Sequence, residues 1–194
     1  MRVTLHHGLP EPLRAEAAAL YWQAFGGKLD RVLGPERRAL TYLADVIRPD
    51  HAIVALDEEG RLLGLAGYKT PDGSFAGGDM ADLRRAYGRI GARWRAVPLW
   101  LLGREVDNSR FLLDGICVAR QARSLGIGSA LLAAICDEAR ARGYGAVRLD
   151  VIDTNWRARQ LYERLGFTVE RRASIGLLRH VFGFSAALTM VKAV

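Results

Sequence analysis

Residues 122–143, ARSLGIGSALLAAICDEARARG, place Gly126 and Gly128 at the mouth of an amphipathic helix. Glycine in a first helical turn is costly, and capping side chains are normally preferred there. Bare backbone at that point has a chemical use. The first amides of a helix lack intrahelical acceptors and carry partial positive charge, so an anion, most often a phosphate, can lie against them. Arg120 and Arg123 flank the turn and would strengthen the field. The plain alternative is a helix that merely starts from a glycine-rich loop.

Three phosphate loops compete for this stretch. A Walker A loop needs Lys-Ser/Thr after its last glycine, and Gly128 is followed by Ser129-Ala130. A dinucleotide fingerprint needs a third glycine where Leu131 stands, and its strand must end directly before the turn. Here the strand ends near Val118, several residues short of Gly126, so Asp150 only imitates the acidic partner of that motif. The third candidate is RSLGIG (123–128), which fits [Arg/Gln]-x-x-Gly-x-[Gly/Ala]. Its neighbours sharpen it. LDGICV precedes it as a strand, and VRLDVIDTN follows its helix. Then comes NWRARQLYERLGF, with Asn155, Ala158, Tyr162, Gly166 and Phe167 in the register Asn-x-x-Ala-x-x-x-Tyr-x-x-x-Gly-Phe. Over residues 110–170 the chain resembles the GNAT superfamily of acetyl-CoA-dependent N-acetyltransferases. Two departures stand out. The proline common after the strand is replaced in VARQ (118–121), and Leu125 replaces the arginine usual before the first glycine. Neither removes a backbone donor.

The resemblance implies a site. Amides of Ser124, Leu125, Gly126, Ile127, Gly128 and Ser129, with Arg123 at their edge, would hold the pyrophosphate of coenzyme A as an oxyanion nest. Ile116, Cys117 and Val118 would pair with the pantetheine arm like an added strand. In the family that strand splays from its parallel neighbour and the acetyl thioester sits in the gap; Gly115 permits a bulge there. The reaction implied is direct attack of an amine on the thioester carbonyl. An alkyl ammonium with a pKa of about 10.4 must first lose a proton, so a carboxylate near the gap is wanted. Asp114 and Asp150 are the candidates. By simple alternation Asp114 shares a strand face with Leu112, Ile116 and Val118, and Asp150 faces opposite to Leu149 and Val151. The bland reading of either is a hydrogen-bonded strand carboxylate. Tyr162 stands at the family's position for the acid that meets the leaving thiolate; by spacing alone it belongs to its helix's apolar stripe. Asn155 reads as a helix N-cap, and the resemblance adds a hydrogen bond to the cofactor arm.

These residues need elements to position them. RVTLHH (2–7) reads as a first strand, PLRAEAAALYWQAF (12–25) as a helix ended by Gly26-Gly27, and PERRALTYLADVI (35–47) as a second helix. HAIVALD (51–57) and RLLGLAGYKT (61–70) form a hairpin, and 71–79 has loop chemistry. A helical insert at about 80–106 is expected to break near Pro98 and to pack Trp94, Val97, Trp100 and Leu101 on the core. Strand, helix, strand, helix and two strands follow, from 110 to 194. The order predicts one α/β (α+β) domain over 1–194, with a mixed, mostly antiparallel sheet, helices on both faces and one parallel crossover. By the resemblance, the two parallel strands splay at the centre.

The whole sequence narrows the partners. With 194 residues, half of them apolar, the chain is long enough for one well-filled core. The four His and two Cys make no metal-binding spacing, so no metal is expected. Cys117 and Cys136 read as buried free thiols in a reducing, cytoplasmic compartment. The net charge of +7 suits a polyanionic ligand, and no nucleic-acid motif accompanies it. No membrane partner is expected, because Pro98 interrupts the amphipathic pattern of the basic, aromatic insert. A lid or a homodimer interface are further readings of that insert. The expected function is acetyl transfer from acetyl-CoA to a primary amine of a small molecule or peptide. The alternative is a non-catalytic acyl-CoA-binding or regulatory module on the same scaffold.

Overall fold

Near-continuous apolar runs select the central strands, because a strand covered on both faces cannot alternate. AIVAL, residues 52–56, is buried at every position. The computed structural model describes residues 2–103, 109–176, 179 and 183–194, with backbone alone at 28 and 100–103. The chain opens with β1 (Thr4–His7), α1 (Arg14–Leu33) and α2 (Glu36–Val46). It continues through β2 (Ala52–Leu56), β3 (Leu62–Thr70), β4 (Gly73–Ser74) and α3 (Met80–Gly103). β5 (Phe111–Val118), α4 (Ile127–Ala141), β6 (Ala146–Ile152), α5 (Trp156–Arg164), β7 (Thr168–Ser174) and β8 (Ala186–Ala193) complete it.

These strands make one eight-stranded sheet in the order β1-β2-β3-β5-β6-β8-β7, with β4 paired on β3. β5 and β6 are its parallel pair, and α4 is the crossover between them. All other pairings are antiparallel. Side-chain parity assigns the helices to faces. A Cβ on Gly64 would meet Ile127 and Leu131 of α4 at 3.2 Å. A Cβ on Gly115 would meet Phe25 of α1 at 3.0 Å. Gly64 pairs with Val118 and Gly67 with Gly115, so α4 and α1 cover opposite faces. The α4 stripe of Leu132, Ile135, Cys136 and Ala139 is buried, as its spacing predicts, and Ile127 and Leu131 are buried with it.

Three local expectations are corrected. α1 does not end at Gly26-Gly27 but runs to Leu33, where Val32 and Leu33 are buried. Gly26 is a packing residue: a Cβ there would lie 2.9 Å from the Trp22 ring. Within 71–79 a two-residue strand, β4, folds back on β3. α3 breaks at Gly88 (φ 71°), not at Pro98, which lies inside the helix. A left-handed residue is cheap only for glycine, so the break falls there. After it the helix turns Ala92 inward and leaves Trp94 and Val97 exposed, rather than packed on the core. The side chains of Trp100 and Leu101 lie outside the described residues.

The loop after β3 is fastened tightly. Phe75 is fully buried; its amide donates to Tyr68 O at 3.1 Å, and its carbonyl accepts from the Arg48 amide at 2.9 Å. A Cβ on Gly67 would lie 2.6 Å from Phe75. Gly67→Ala therefore lowers stability by about 1–3 kcal/mol through overpacking. Thermal unfolding checks it, at about 2–4 °C of Tm per kcal/mol.

Candidate active site

β5 and β6 share only three register pairs: Phe111 with Val147, Leu112 with Arg148, and Leu113 with Leu149. Beyond them β5 pairs with β3 alone. The cause lies on the β3 side. Gly67 faces Gly115 and Tyr68 faces Leu113, so Asp114 is the extra residue of a bulge. A bulge bends its strand and adds twist, which turns β5 away from β6 at that point. From Asp114 to Val118 the edge of β5 that faces β6 has no strand partner among the described residues, the Val118 carbonyl alone accepting from Arg123 Nε.

The bulge also overturns the simple alternation. Gly115 and Cys117 lie on the α1 face with Leu112, whereas Ile116 and Val118 lie on the α4 face with Leu113. Asp114 therefore leaves the apolar stripe assigned to it. Its carboxylate lies beside Tyr21 and accepts from the Ala76 amide at 3.4 Å. Crowding by protein pushes its pKa up, against the pull of that amide, Lys69 and His51. The side chain remains open to solvent, which limits the shift. Tyr21, beside it, is pushed well up, first by burial and then by the Asp114 charge. Asp150 stands just past the last β5–β6 pair and faces away from buried Leu149 and Val151, as expected. It is engaged: Thr189 Oγ1 donates to it at 2.6 Å, and Arg148 Nη2 at 3.2 Å. Both carboxylates thus stand where the strands part, one lightly held and one paired.

At the other end of β5 the chain makes a 3₁₀ turn at Arg120–Ala122 and enters α4. Two residues there adopt left-handed backbone, Ser124 (φ 65°) and Gly126 (φ 80°). For a serine this costs about 1 kcal/mol or more. Amides 124–129 have no hydrogen-bond acceptor among the described residues. Among the described residues nothing lies within 4 Å of a Cβ built on Gly126, so the space over that position is open. A hydrogen bond to a charged acceptor is worth about 1.5–3 kcal/mol, so two or three of these amides outweigh the local strain. The residues present fit a diphosphate. Gly128 also permits packing, since a Cβ there would lie 3.3 Å from Leu161 of α5 and 3.9 Å from Val118. It lets α4 and α5 approach. Leu125 is exposed, and Arg123 Nε donates to Val118 O at 3.3 Å, bracing the turn.

Tyr162 is buried beside Phe167, with ring centroids 6.1 Å apart. Its hydroxyl has no hydrogen-bond partner among the described residues, and burial pushes its pKa up to about 12. Asn155 caps α5, accepting from the Ala158 amide at 3.3 Å. Burial lifts the Cys117 thiol to about 12, so it is no nucleophile near neutral pH.

The chain matches the model of the Acetyltransferase (GNAT) family over residues 15–167. It belongs to that family. A probable N-acetyltransferase, camello, from Xenopus tropicalis is 39% identical over 75 residues, which is 39% of this chain and 34% of that protein. The chain thus matches about a third of that relative's length. Among solved structures, the histone acetyltransferase HPA2 and related acetyltransferase of Corynebacterium glutamicum superposes with TM-score 0.66 at 22% identity, over 99% of this chain and 96% of that one. A putative streptothricin acetyltransferase of Bacillus anthracis, solved with acetyl coenzyme A, gives TM-score 0.51 at 15% identity over 74% and 61%. These likenesses speak for the fold.

Sequence reasoning missed part of the site. The Ala76 amide that holds Asp114 lies in a loop without a motif; only the glycines around Phe75 hint at a close approach. A groove of about 590 Å³ between α1 and α2, lined by Trp22, Asp30, Glu36 and Arg120 among others, was also unseen. It exists because α1 runs past its glycines. Gly126→Asp places a carboxylate in the open turn and lowers affinity for coenzyme A by at least about 100-fold, beyond the roughly 1 kcal/mol of backbone strain. Calorimetric titration measures the loss.

Proposed function

We propose that this protein is an acetyl-CoA-dependent N-acetyltransferase acting on a primary amine of a small molecule or peptide. One observation carries the reading: the open amides of 124–129 and the open edge of β5 lie at one end of the same parting strand pair. The amides 124–129 hold the diphosphate, with Arg123 closing the turn. The edge Ile116–Val118 pairs with the pantetheine arm, to which the free side-chain NH₂ of Asn155 also donates. The acetyl thioester then lies in the gap beside Asp114.

Asp114 takes the proton from the incoming ammonium, since it is less engaged than Asp150 and more basic than an ordinary carboxylate. Asp150, tied to Thr189 and Arg148, shapes the far side of the gap and presents charge to the amine. The amine nitrogen bonds to the carbonyl carbon and the C–S bond breaks, leaving the electron pair on sulfur. Tyr162 meets that sulfur. Full proton transfer from a phenol at about 12 to a thiolate whose acid has pKa about 8.5 is uphill by about 5 kcal/mol. The hydroxyl therefore serves as a hydrogen-bond donor to developing negative charge, and water delivers the final proton. The acceptor class is supported by the two carboxylates at the gap, Asp114 and Asp150.

A titration with acetyl-CoA followed by a thiol-release assay over amines, polyamines, amino acids and peptides tests the reading. Tight binding with no turnover across that panel would return the protein to the coenzyme-A-binding module. Tyr162→Phe lowers kcat about 10- to 100-fold and leaves the Kd for coenzyme A within about twofold, as expected for a group that binds developing charge. Equal rates reassign Tyr162 to packing. Asp114→Asn removes the acid limb of the kcat/KM profile, which in the native protein is displaced upward from the ordinary Asp position by crowding. It also raises Tm at pH 7. A carboxyl whose folded pKa is raised destabilises the fold once ionised, so this gain vanishes below about pH 4.

A further inference from the structure

α3 carries a surface that the acetyl-transfer site does not use. After the break at Gly88 its inner side is Ala92, Ala96 and Leu99, packed on the core. Arg95 fixes this half. Its Nη2 donates to Gly34 O and its Nη1 to Gly91 O, both at 3.2 Å. Its guanidinium lies 4.1 Å from the Tyr87 ring centre and 4.2 Å from that of Trp94. The outer side is Ile90, Trp94 and Val97, with 86%, 49% and 60% of their surface exposed. At 100° per residue these fall within an arc of about 60°, and Arg89 and Arg93 line one edge of it. Both arginines are exposed and have no ion-pair partner among the described residues. Arg38 of α2 adds its charge nearby, close enough to disfavour the charged form of Arg95. The helix's acidic residue in its first turn, Asp82, pairs with Arg85 before the break.

We propose that this face of α3 seats on an anionic lipid surface. Ile90, Trp94 and Val97 enter the acyl boundary, and Arg89 and Arg93 reach the lipid phosphates. A row of large apolar side chains with Trp in it, edged by unpaired arginines, is the composition of an interfacial helix. The net charge of +7 adds long-range attraction to an anionic leaflet. A second copy of the chain fits the face less well: a twofold contact would set Arg89 and Arg93 against their own equivalents, with no carboxylate between to answer them. The association is peripheral, since no described helix is long and apolar enough to cross a membrane. Pro98, expected from the sequence to interrupt the amphipathic pattern, does not do so. With the break at Gly88, residues 89–97 form one uninterrupted helical stretch. Membrane seating is independent of the acetyl-transfer reading.

The test is cosedimentation of the full chain with two vesicles: phosphatidylcholine alone, and phosphatidylcholine with about one-third phosphatidylserine. The expected result is binding to the second only, weakening as salt rises. Trp94→Ser and the pair Arg89→Gln with Arg93→Gln each reduce partitioning at least about tenfold. The arginine pair keeps the native Tm, because both side chains face solvent; Trp94→Ser lowers Tm through the lost stacking on Arg95, so its partitioning is read well below that Tm. Native protein that fails to sediment with the anionic vesicles overturns the proposal, as do variants that sediment equally well. Light scattering that finds a native dimer and a Trp94→Ser monomer also overturns it, giving the face to a second copy.

Discussion

The parallel pairing of β5 and β6 stops after Leu113 and Leu149, and the candidate site depends on that stop. A backbone ladder that ended without cause would leave buried polar groups unpaired, at about 1–3 kcal/mol each. Here the cause is local. One extra residue, Asp114, interrupts the register between β3 and β5 and swings the second half of β5 away from β6. The same insertion moves Asp114 off the apolar face, leaves one strand edge without a partner, and sets the carboxylate against the Ala76 amide. Three features of the site thus follow from a single residue count. The chain elsewhere is built to tolerate it: β6 keeps full pairing on its other side with β8, from Ala146 to Ile152.

The order of elements was legible because most carry a clear period. The hairpin of β2 and β3, the buried stripe of α4 and the cap at Asn155 all follow from spacing and turn chemistry. The glycine turn before α4 was legible for the same reason, since Gly126 stands where only left-handed backbone fits. What escaped was set by contacts distant in sequence or by packing across a turn. Gly26 reads as a stop signal, but it is small because Trp22 lies across it. Gly88 and Pro98 are both able to break α3. The two differ in what they demand: proline forfeits one hydrogen bond within an otherwise helical backbone, whereas Gly88 takes a dihedral that no helix contains. Alternation failed at Asp114 because a bulge depends on the partner strand. Gly115 marks a place where a bulge is allowed, but which residue it inserts is fixed by the register with β3.

Both glycines of the opening motif are needed, but for different reasons. Gly126 leaves space over the amides, while Gly128 lets Leu161 and Val118 close on the first turn of α4. The turn and α5, which carries Tyr162, are therefore packed as one body. In the acetyl-transfer reading, this packing fixes the span between the anion cradle and the phenol. Thioester placement then becomes a property of rigid elements rather than of loops.

Cys117 supplies a last consequence. Its thiol sits on the strand proposed to line the cofactor arm, yet burial lifts it to about 12. A sulfur that keeps its hydrogen through the neutral range makes a poor way-station for an acyl group. In the acetyl-transfer reading Cys117 therefore carries no acyl group, and the carboxylates at the gap favour direct transfer to an amine bound alongside the thioester.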